Sequence, residues 1–298
     1  MTHGYYIGIL SGLLWAISGV SYNLLYNKFP SLDSLFFSIL ALFFIEFFSL
    51  ISISYFHLRK KRIPPINKSN FLIIFSGLLG GPIAMLCYLN AIQLIGVSHA
   101  AAITSTYPIL AAFLSIKFLK EKKEHLSIFI LIISSTIFLN IKTQNTFNLL
   151  GLILSFIASF SWASEIFLSS YTIHNNKNKS EDVYFIRQLS STIGYIIIIF
   201  YLIFLLKNNL SIQPREEINL ILPILVITLI ISSGLSYFLY YKAIEILKPI
   251  KAMALNITYG AWSIILSAIL HLEKLDIKSI LTCLIIFTLT YILAREKK

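Results

Sequence analysis

Residues 88–102, Tyr88-Leu-Asn-Ala-Ile-Gln-Leu-Ile-Gly-Val-Ser-His-Ala-Ala-Ala102, align without a gap on residues 240–254, Tyr240-Tyr-Lys-Ala-Ile-Glu-Ile-Leu-Lys-Pro-Ile-Lys-Ala-Met-Ala254. The same offset carries Thr106-Tyr107 onto Thr258-Tyr259 and Glu121-Lys122 onto Glu273-Lys274. A nearby offset carries Gly4 and Trp15-Ala16 onto Gly151 and Trp162-Ala163. Two apolar segments that are alike only in composition would not match in register at Tyr, Ala-Ile, Thr-Tyr and Glu-Lys. The chain therefore reads as two related halves, residues 1–145 and 146–298.

Both halves are apolar from end to end. The 298 residues are 57% hydrophobic, with a mean hydropathy of +0.81, more apolar surface than a soluble domain of this size can cover. Apolar runs of about 18 residues or more recur along the chain, the pattern of membrane-crossing helices. We read ten spans, at about 4–27, 32–57, 70–94, 97–118, 125–141, 148–172, 183–206, 219–247, 249–271 and 275–294. The expected fold is an all-α polytopic membrane protein. Five spans per half is an odd number, so the second half enters the bilayer upside down. The ten transmembrane helices then form two inverted five-helix repeats, an arrangement typical of transporters that hold substrate near the midplane. The first apolar run is too long for the h-region of a signal peptide, so no cleavable leader is expected.

The net charge of +11 does not point to nucleic acid, because the basic residues cluster in short loops between apolar runs. Of the 24 Lys and Arg, Arg187 and Lys242 are set aside from the loop count. Six (Lys28, Lys142, Lys207, Arg215, Lys274, Lys278) fall on one side of the membrane and the other sixteen on the opposite side. The positive-inside rule then places both termini in the cytoplasm and the chain in the cytoplasmic (inner) membrane. Cys87 and Cys283 lie in separate apolar spans and read as small buried hydrophobes.

Function is sought in the polar groups at membrane depth. Within residues 148–172, Glu165 is the only charge. Trp162, three residues earlier, shares its helix face. An aromatic face beside a single carboxylate, held away from water, suits a cation. Span 1 carries a stripe of Gly4, Gly8, Ser11, Trp15, Ser18, Gly19, Tyr22 and Tyr26, with the glycines read as packing and Trp15 as a candidate cavity wall. Gly77, Gly80, Gly81 and Pro82 suggest a kink or a close crossing in span 3, and Pro108 a freed carbonyl at mid-depth in span 4. Tyr107, Tyr237, Asn256, Tyr259 and Trp262 are further candidates for a cavity wall.

Glu46 lies near the centre of span 2, where a lone carboxylate is a functional-site hypothesis: a proton carrier, a partner for Arg187 or a secondary cation ligand. Arg187-Gln188 opens span 7, where the arginine is expected to snorkel toward the cytoplasmic side. Lys242 and Glu245 are expected to pair with each other. The six histidines read as interfacial, and Asp33, Asp182 and Asp276 as isolated. With no acid cluster for a metal, no Ser-His constellation and no phosphate-cradling glycine loop, catalysis is not expected, nor is a cofactor or a metal.

The spans, the inverted halves and the Glu after spans 4 and 9 resemble the drug/metabolite transporter superfamily of the EamA type, over the whole chain. Within it, Gly81-Pro82-Ile83-x-Met85, Tyr107-Pro108, Ser161-Trp162-x-Ser164-Glu165, Ile186-Arg187-Gln188, Ser236-Tyr237 with Tyr240-Tyr241, and Leu255-Asn256-x-x-Tyr259-x-x-Trp262 resemble the matching pieces of the LicB-type choline permeases. Glu46 also fits that branch, whereas Gly260 stands where the wider superfamily often has Pro.

The resemblance implies import of choline by alternating access, for phosphocholine decoration of surface polysaccharide. The substrate-binding residues would be Trp15, Tyr107, Trp162, Tyr237, Tyr259 and Trp262 as an aromatic cage, Glu165 as counter-charge, and Asn256 or Gln188 for the hydroxyl. Glu46, Glu165 and Arg187 are the candidate proton or charge site. The partners are a small cation and the lipid bilayer, and a homodimer is left open. Export or import of amino acids or other metabolites on the same fold is the alternative; a polytopic membrane enzyme fits less well.

Overall fold

The computed structural model describes residues 2–28, 35–61, 64, 70–104, 106–121, 130, 148–206, 220–272 and 275–295, and among these there is no strand. In order the helices are α1 (Thr2–Lys28), α2 (Leu35–Arg59), α3 (Asn70–Leu78), α4 (Ala84–Thr104), α5 (Tyr107–Leu119) and α6 (Leu149–His174). Then come α7 (Ser180–Leu206), α8 (Ile221–Leu247), α9 (Pro249–Asn256), α10 (Tyr259–Ile269) and α11 (Ile277–Arg295). A π-helical turn, Leu79–Ile83, joins α3 to α4 without interrupting the rod.

Among the described residues, seven segments are long and apolar enough to cross a membrane: His3–Leu25, Leu35–Arg59, Asn70–Ile95, Leu149–His174, Ser180–Leu205, Ile221–Leu247 and Pro249–Ile269. Tyr107–Leu119 and Ile277–Ile292 are apolar but shorter. The span expected at 125–141 lies almost wholly outside the described residues.

Two expected boundaries are corrected. The break between spans 3 and 4, placed at 95–96, is absent: α4 runs unbroken to Thr104. In the second half the chain does break at the aligned position, where Lys248 adopts φ 69°, ψ 164° and α9 starts at Pro249. Proline lacks the N–H that a continuing helix would use, whereas Val97, its counterpart, keeps one. The ninth span is itself interrupted at Ile257 and Thr258. The interruption falls at the aligned place in both halves: α5 starts at Tyr107 after Thr106, and α10 at Tyr259 after Thr258. Pro108 consequently sits in the first turn of α5, where its missing N–H costs little, and does not kink a mid-span helix.

Other ends follow simple capping chemistry. The Asn148 side chain accepts the Gly151 N–H at 3.1 Å and opens α6. Glu181 and Asp182 occupy the first turn of α7, against its positive dipole end. Lys61, Lys120, Lys177 and His271 take positive φ beside helix ends, at 47°, 53°, 55° and 55°.

Large apolar side chains face outward, among them Phe47, Phe48, Ile197, Phe200, Phe204 and Ile224. Many serines and glycines face inward, although Gly19 and Ser52 are exposed. This is the polarity expected of a bundle whose solvent is lipid. Several buried hydroxyls donate within their own helix, as with Ser155 to the Gly151 carbonyl at 3.0 Å and Ser21 to that of Ile17 at 2.8 Å.

The start of α1 packs on the end of α8: a Cβ on Gly4 would meet Ile246 and Leu247 at 2.8–2.9 Å. The end of α6 lies there too, with His174 Nε2 2.9 Å from the Ile244 carbonyl. The helices aligned by the Gly4/Gly151 offset, α1 and α6, therefore run in opposite directions.

Candidate functional site

Three buried charges, from α2, α6 and α7, meet inside the bundle. Arg187 is completely buried, and Glu165 and Glu46 are 3% and 7% exposed. Arg187 Nε donates to Glu165 Oε1 at 2.6 Å, and Nη1 lies 2.6 Å from both Glu46 oxygens. Nη1 also donates to Gln188 Oε1, and Gln188 Nε2 donates to Tyr184 Oη at 3.3 Å. Arg187 Nη2 has no hydrogen-bond partner. The snorkelling expected of Arg187 is thus corrected. The charged opening turn of α7 belongs to the end of the bundle, and Arg187 lies about two helical turns, ~10 Å, beyond its start.

Aromatic rings pack near this triad. Trp162 packs edge-on against Tyr88 and Tyr107, with centroids 5.4 and 5.9 Å apart. Trp15 packs edge-on against Tyr237 at 5.1 Å, and the Arg187 guanidinium lies 4.8 Å from the centre of the Tyr237 ring. Tyr241 Oη reaches Glu165 Oε1 at 3.4 Å and pairs with Ser169 Oγ at 3.0 Å.

Glycines bring the triad together. A Cβ on Gly80 would lie 1.7 Å from Glu165 Oε2 and 2.7 Å from Glu165 Cβ. One on Gly77 would fall 2.5 Å from the Arg187 carbonyl, and one on Gly81 2.0 Å from Ser191 Oγ. The Gly80 carbonyl, within the π turn, accepts the Trp162 indole N–H at 3.0 Å. A π turn breaks the regular ladder and presents carbonyls to other partners, which is why such turns recur at functional sites.

The site therefore joins Glu46, Glu165, Arg187, Gln188, Trp162, Tyr107, Trp15 and Tyr237 of the expected residues. Tyr88, Gly80 and Tyr241 were not expected there. Tyr88 is the first residue of the repeated stretch and the counterpart of Tyr240, the one signal that could have marked it. Two expected residues have other described contacts: Asn256 Nδ2 donates to Ser11 Oγ at 3.0 Å, and the Trp262 ring packs on Phe287 at 5.1 Å. Tyr259 is packed against the main apolar core.

A second polar cluster ties the ends of α2, α7 and α8. His57 Nε2 is 3.0 Å from Asp182 Oδ1, so Asp182 is not isolated and His57, itself buried, is not merely interfacial. Lys242 bridges Glu181 at 3.0 Å and Glu245 at 3.2 Å, the latter as expected. Just beyond α5, the buried Glu121 carboxyl accepts the Ile250 N–H of α9 at 3.4 Å. Burial pushes its pKa up to about 7, against the backbone bond and the nearby charges of Lys248 and Lys251, which pull it down.

The EamA-like transporter family matches residues 2–141 and, again, residues 149–295. The chain belongs to this family. Protein LicB of Haemophilus influenzae is 38% identical over 294 residues, which cover 95% of this chain and 94% of that protein. A solved crystal structure aligns over 99% of this chain and 97% of its own, with a TM-score of 0.72 and 14% identity, a likeness of fold.

In this EamA-like transporter, contacts in one half recur in the other at the sequence offsets. Gly4 meets Ile246 and Leu247; Gly151 meets Leu94 and Ile95. Gly12 lies against Thr258, and its counterpart Ser159 shares a hydrogen bond of 3.1 Å with Thr106. The crossings differ where the charge sits. Glu165 abuts Gly80, whereas its counterpart Ser18 shares a hydrogen bond of 2.5 Å with Ser233.

Proposed function

We propose that this transporter imports choline across the cytoplasmic membrane, by alternating access, for phosphocholine decoration of surface polysaccharide. The observation that carries the reading is the buried carboxylate Glu165, three residues along its helix from Trp162, which packs on Tyr88 and Tyr107, and bonded to Arg187, which lies over the Tyr237 ring beside Trp15. A quaternary ammonium donates no hydrogen bond, so it is held by charge and by ring faces. Cation–π contacts contribute about 2 kcal/mol or more when desolvated. Gln188 lies beside the triad and is the group we assign to the hydroxyl. The resemblance of the sequence motifs to the LicB-type choline permeases supports the same substrate.

The architecture we assign is ten transmembrane helices in two inverted five-helix repeats, residues 1–145 and 146–298. Both termini lie in the cytoplasm, and one repeat rocks against the other. The opposed directions of α1 and α6 and the contacts repeated at the sequence offsets support that division. An inside-negative potential contributes about 2.3 kcal/mol per 100 mV for each positive charge moved inward. Potential alone therefore suffices to concentrate a monovalent cation.

The test is uptake of labelled choline into proteoliposomes under an inside-negative potential, for wild type and Glu165→Gln. Uptake by wild type, lost in the variant, is expected. Absence of wild-type uptake, even with an inward proton gradient added, would overturn choline as the substrate.

A further inference from the structure

We infer that Arg187 is a tethered stand-in for the substrate, competing with the incoming ammonium group for Glu165 and the Tyr237 face and displacing it when the substrate is released. The inference rests on the cation-transport reading of the same site. Its physical basis is that the groups best suited to the substrate already hold a cation belonging to the chain. Glu165 receives the Arg187 Nε–H at 2.6 Å, and the Tyr237 ring lies 4.8 Å from the guanidinium carbon.

Charge makes the competition one for one. A single guanidinium faces two carboxylates, so the triad is one cation short. When an ammonium group takes Glu165, Arg187 keeps Glu46, and each carboxylate has its own cation. When it leaves, Arg187 again bridges both. The buried Nη2 with no partner fits a guanidinium whose bonding is not saturated in one pose. The chemistry of the competitor also matches. A guanidinium is more weakly hydrated than a lysine ammonium and stacks on aromatic rings, as a quaternary ammonium does.

The exchange is confined to the side chain. A Cβ on Gly77 would sit 2.5 Å from the Arg187 carbonyl and 3.2 Å from its Cα, so α3 presses directly on the backbone that carries the arginine. The guanidinium can turn away from Glu165 while Glu46, on α2, retains it.

The test is the affinity of the purified protein for choline and for tetramethylammonium, by isothermal titration calorimetry. Arg187→Gln alone would strand two buried carboxylates. The informative variant is therefore Glu46→Gln with Arg187→Gln, which removes one charge of each sign and leaves Glu165 free. Binding of either cation on the order of tenfold tighter than in wild type is expected. Unchanged or weaker binding by a monodisperse double variant would overturn the proposal, since a purely structural ion pair predicts no gain.

If the double variant does not fold, wild-type protein with 15N-labelled arginine decides. Its Arg187 Nε resonance, assigned through Arg187→Lys, is expected to move on saturation with tetramethylammonium, and an unmoved resonance overturns the idea. The two readings fail separately. Loss of the choline reading shows as absent choline uptake by wild type, whereas the tetramethylammonium measurements still decide the role of Arg187.

Discussion

The crossing of α1 with α8 and the crossing of α6 with the α3–α4 rod are built to one plan and chemically unlike. In each, a glycine near the start of one helix lets it close on a pair of large apolar residues: Gly4 on Ile246 and Leu247, Gly151 on Leu94 and Ile95. Farther along, the first crossing has a pair of serine hydroxyls, Ser18 and Ser233, and the second has Glu165 against Gly80. The comparison separates frame from function. Small residues that let helices approach are needed in both halves, because in lipid the association rests on close packing. The charge is needed only once, and its position has a glycine opposite it because nothing larger fits.

The largest expected effect tests that separation at Gly80. A methyl group there would overlap the Glu165 carboxylate and crowd its Cβ, so the side chain cannot evade it without leaving Arg187. Gly80→Ala is expected to lower choline uptake on the order of a hundredfold, the scale associated with displacing a positioned group by about 1 Å. Ser232, the counterpart of Gly80, donates only within its own helix, to the carbonyls of Thr228 and Leu229. Ser232→Ala is expected to transport almost as wild type. Equal losses in the two variants would show that the crossings share the chemistry.

Next in size is the indole bond. Trp162→Phe keeps a ring beside Tyr88 and Tyr107 but leaves the Gly80 carbonyl of the π turn without its donor. Burying an unmatched acceptor costs about 1–3 kcal/mol. We expect a lower thermal midpoint and a raised KM for uptake. Trp15→Phe, which keeps the edge-on contact with Tyr237, is expected to change the midpoint less. The pair is read by thermal unfolding in detergent together with initial uptake rates.

The charged centre could be located from the sequence because a charge in an apolar run must find a partner or a purpose. That argument singled out Glu165 and Glu46 and named Arg187 as a possible partner for Glu46. It misjudged the depth of Arg187, because where α7 enters the bilayer depends on the pairing of Glu181 and Asp182 with Lys242 and His57, contacts between residues far apart in the chain. The π turn was hidden for a different reason. Gly80-Gly81-Pro82 reads as a kink or a close crossing when the helix is considered alone, and only Glu165 and the Trp162 indole, arriving from α6, give the widened turn its use. The repeat aligned the Thr-Tyr pairs that open α5 and α10, but both breaks fall inside expected spans, because an apolar run reads as one helix until its partners are known. It could not show that α4 stays continuous where the second half breaks, since that rests on the single exchange of Val97 for Pro249.

The frame itself is tested by Gly4→Ala and Gly151→Ala. Each added methyl meets the neighbouring helix at 2.6–3.0 Å. Overpacking of this kind costs about 1–3 kcal/mol. The two variants are expected to lower the thermal midpoint by similar amounts while leaving the choline KM near wild type. A clear inequality between them would mean that the two crossings do not bear the same packing load.

The smallest expected effect concerns Glu121, whose repeat counterpart Glu273 lies outside the described residues. Burial raises its pKa from the ordinary 4.5 to about 7 in the folded protein. Between those values the folded state holds a proton that the unfolded state has released, so stability falls as pH rises across that window and levels off above it. The contribution is fully present below pH ~4.5 and lost by about pH 7, because ionising a buried carboxyl is opposed by desolvation more strongly than the Ile250 N–H, Lys248 and Lys251 favour it. Glu121→Gln, which cannot ionise, is expected to remove that part of the slope in a series of thermal midpoints from pH 5 to pH 8. A wild-type slope left intact in the variant would assign the pH dependence to other groups. Glu273→Gln, measured alongside, would show whether the second half has a titrating group of the same kind.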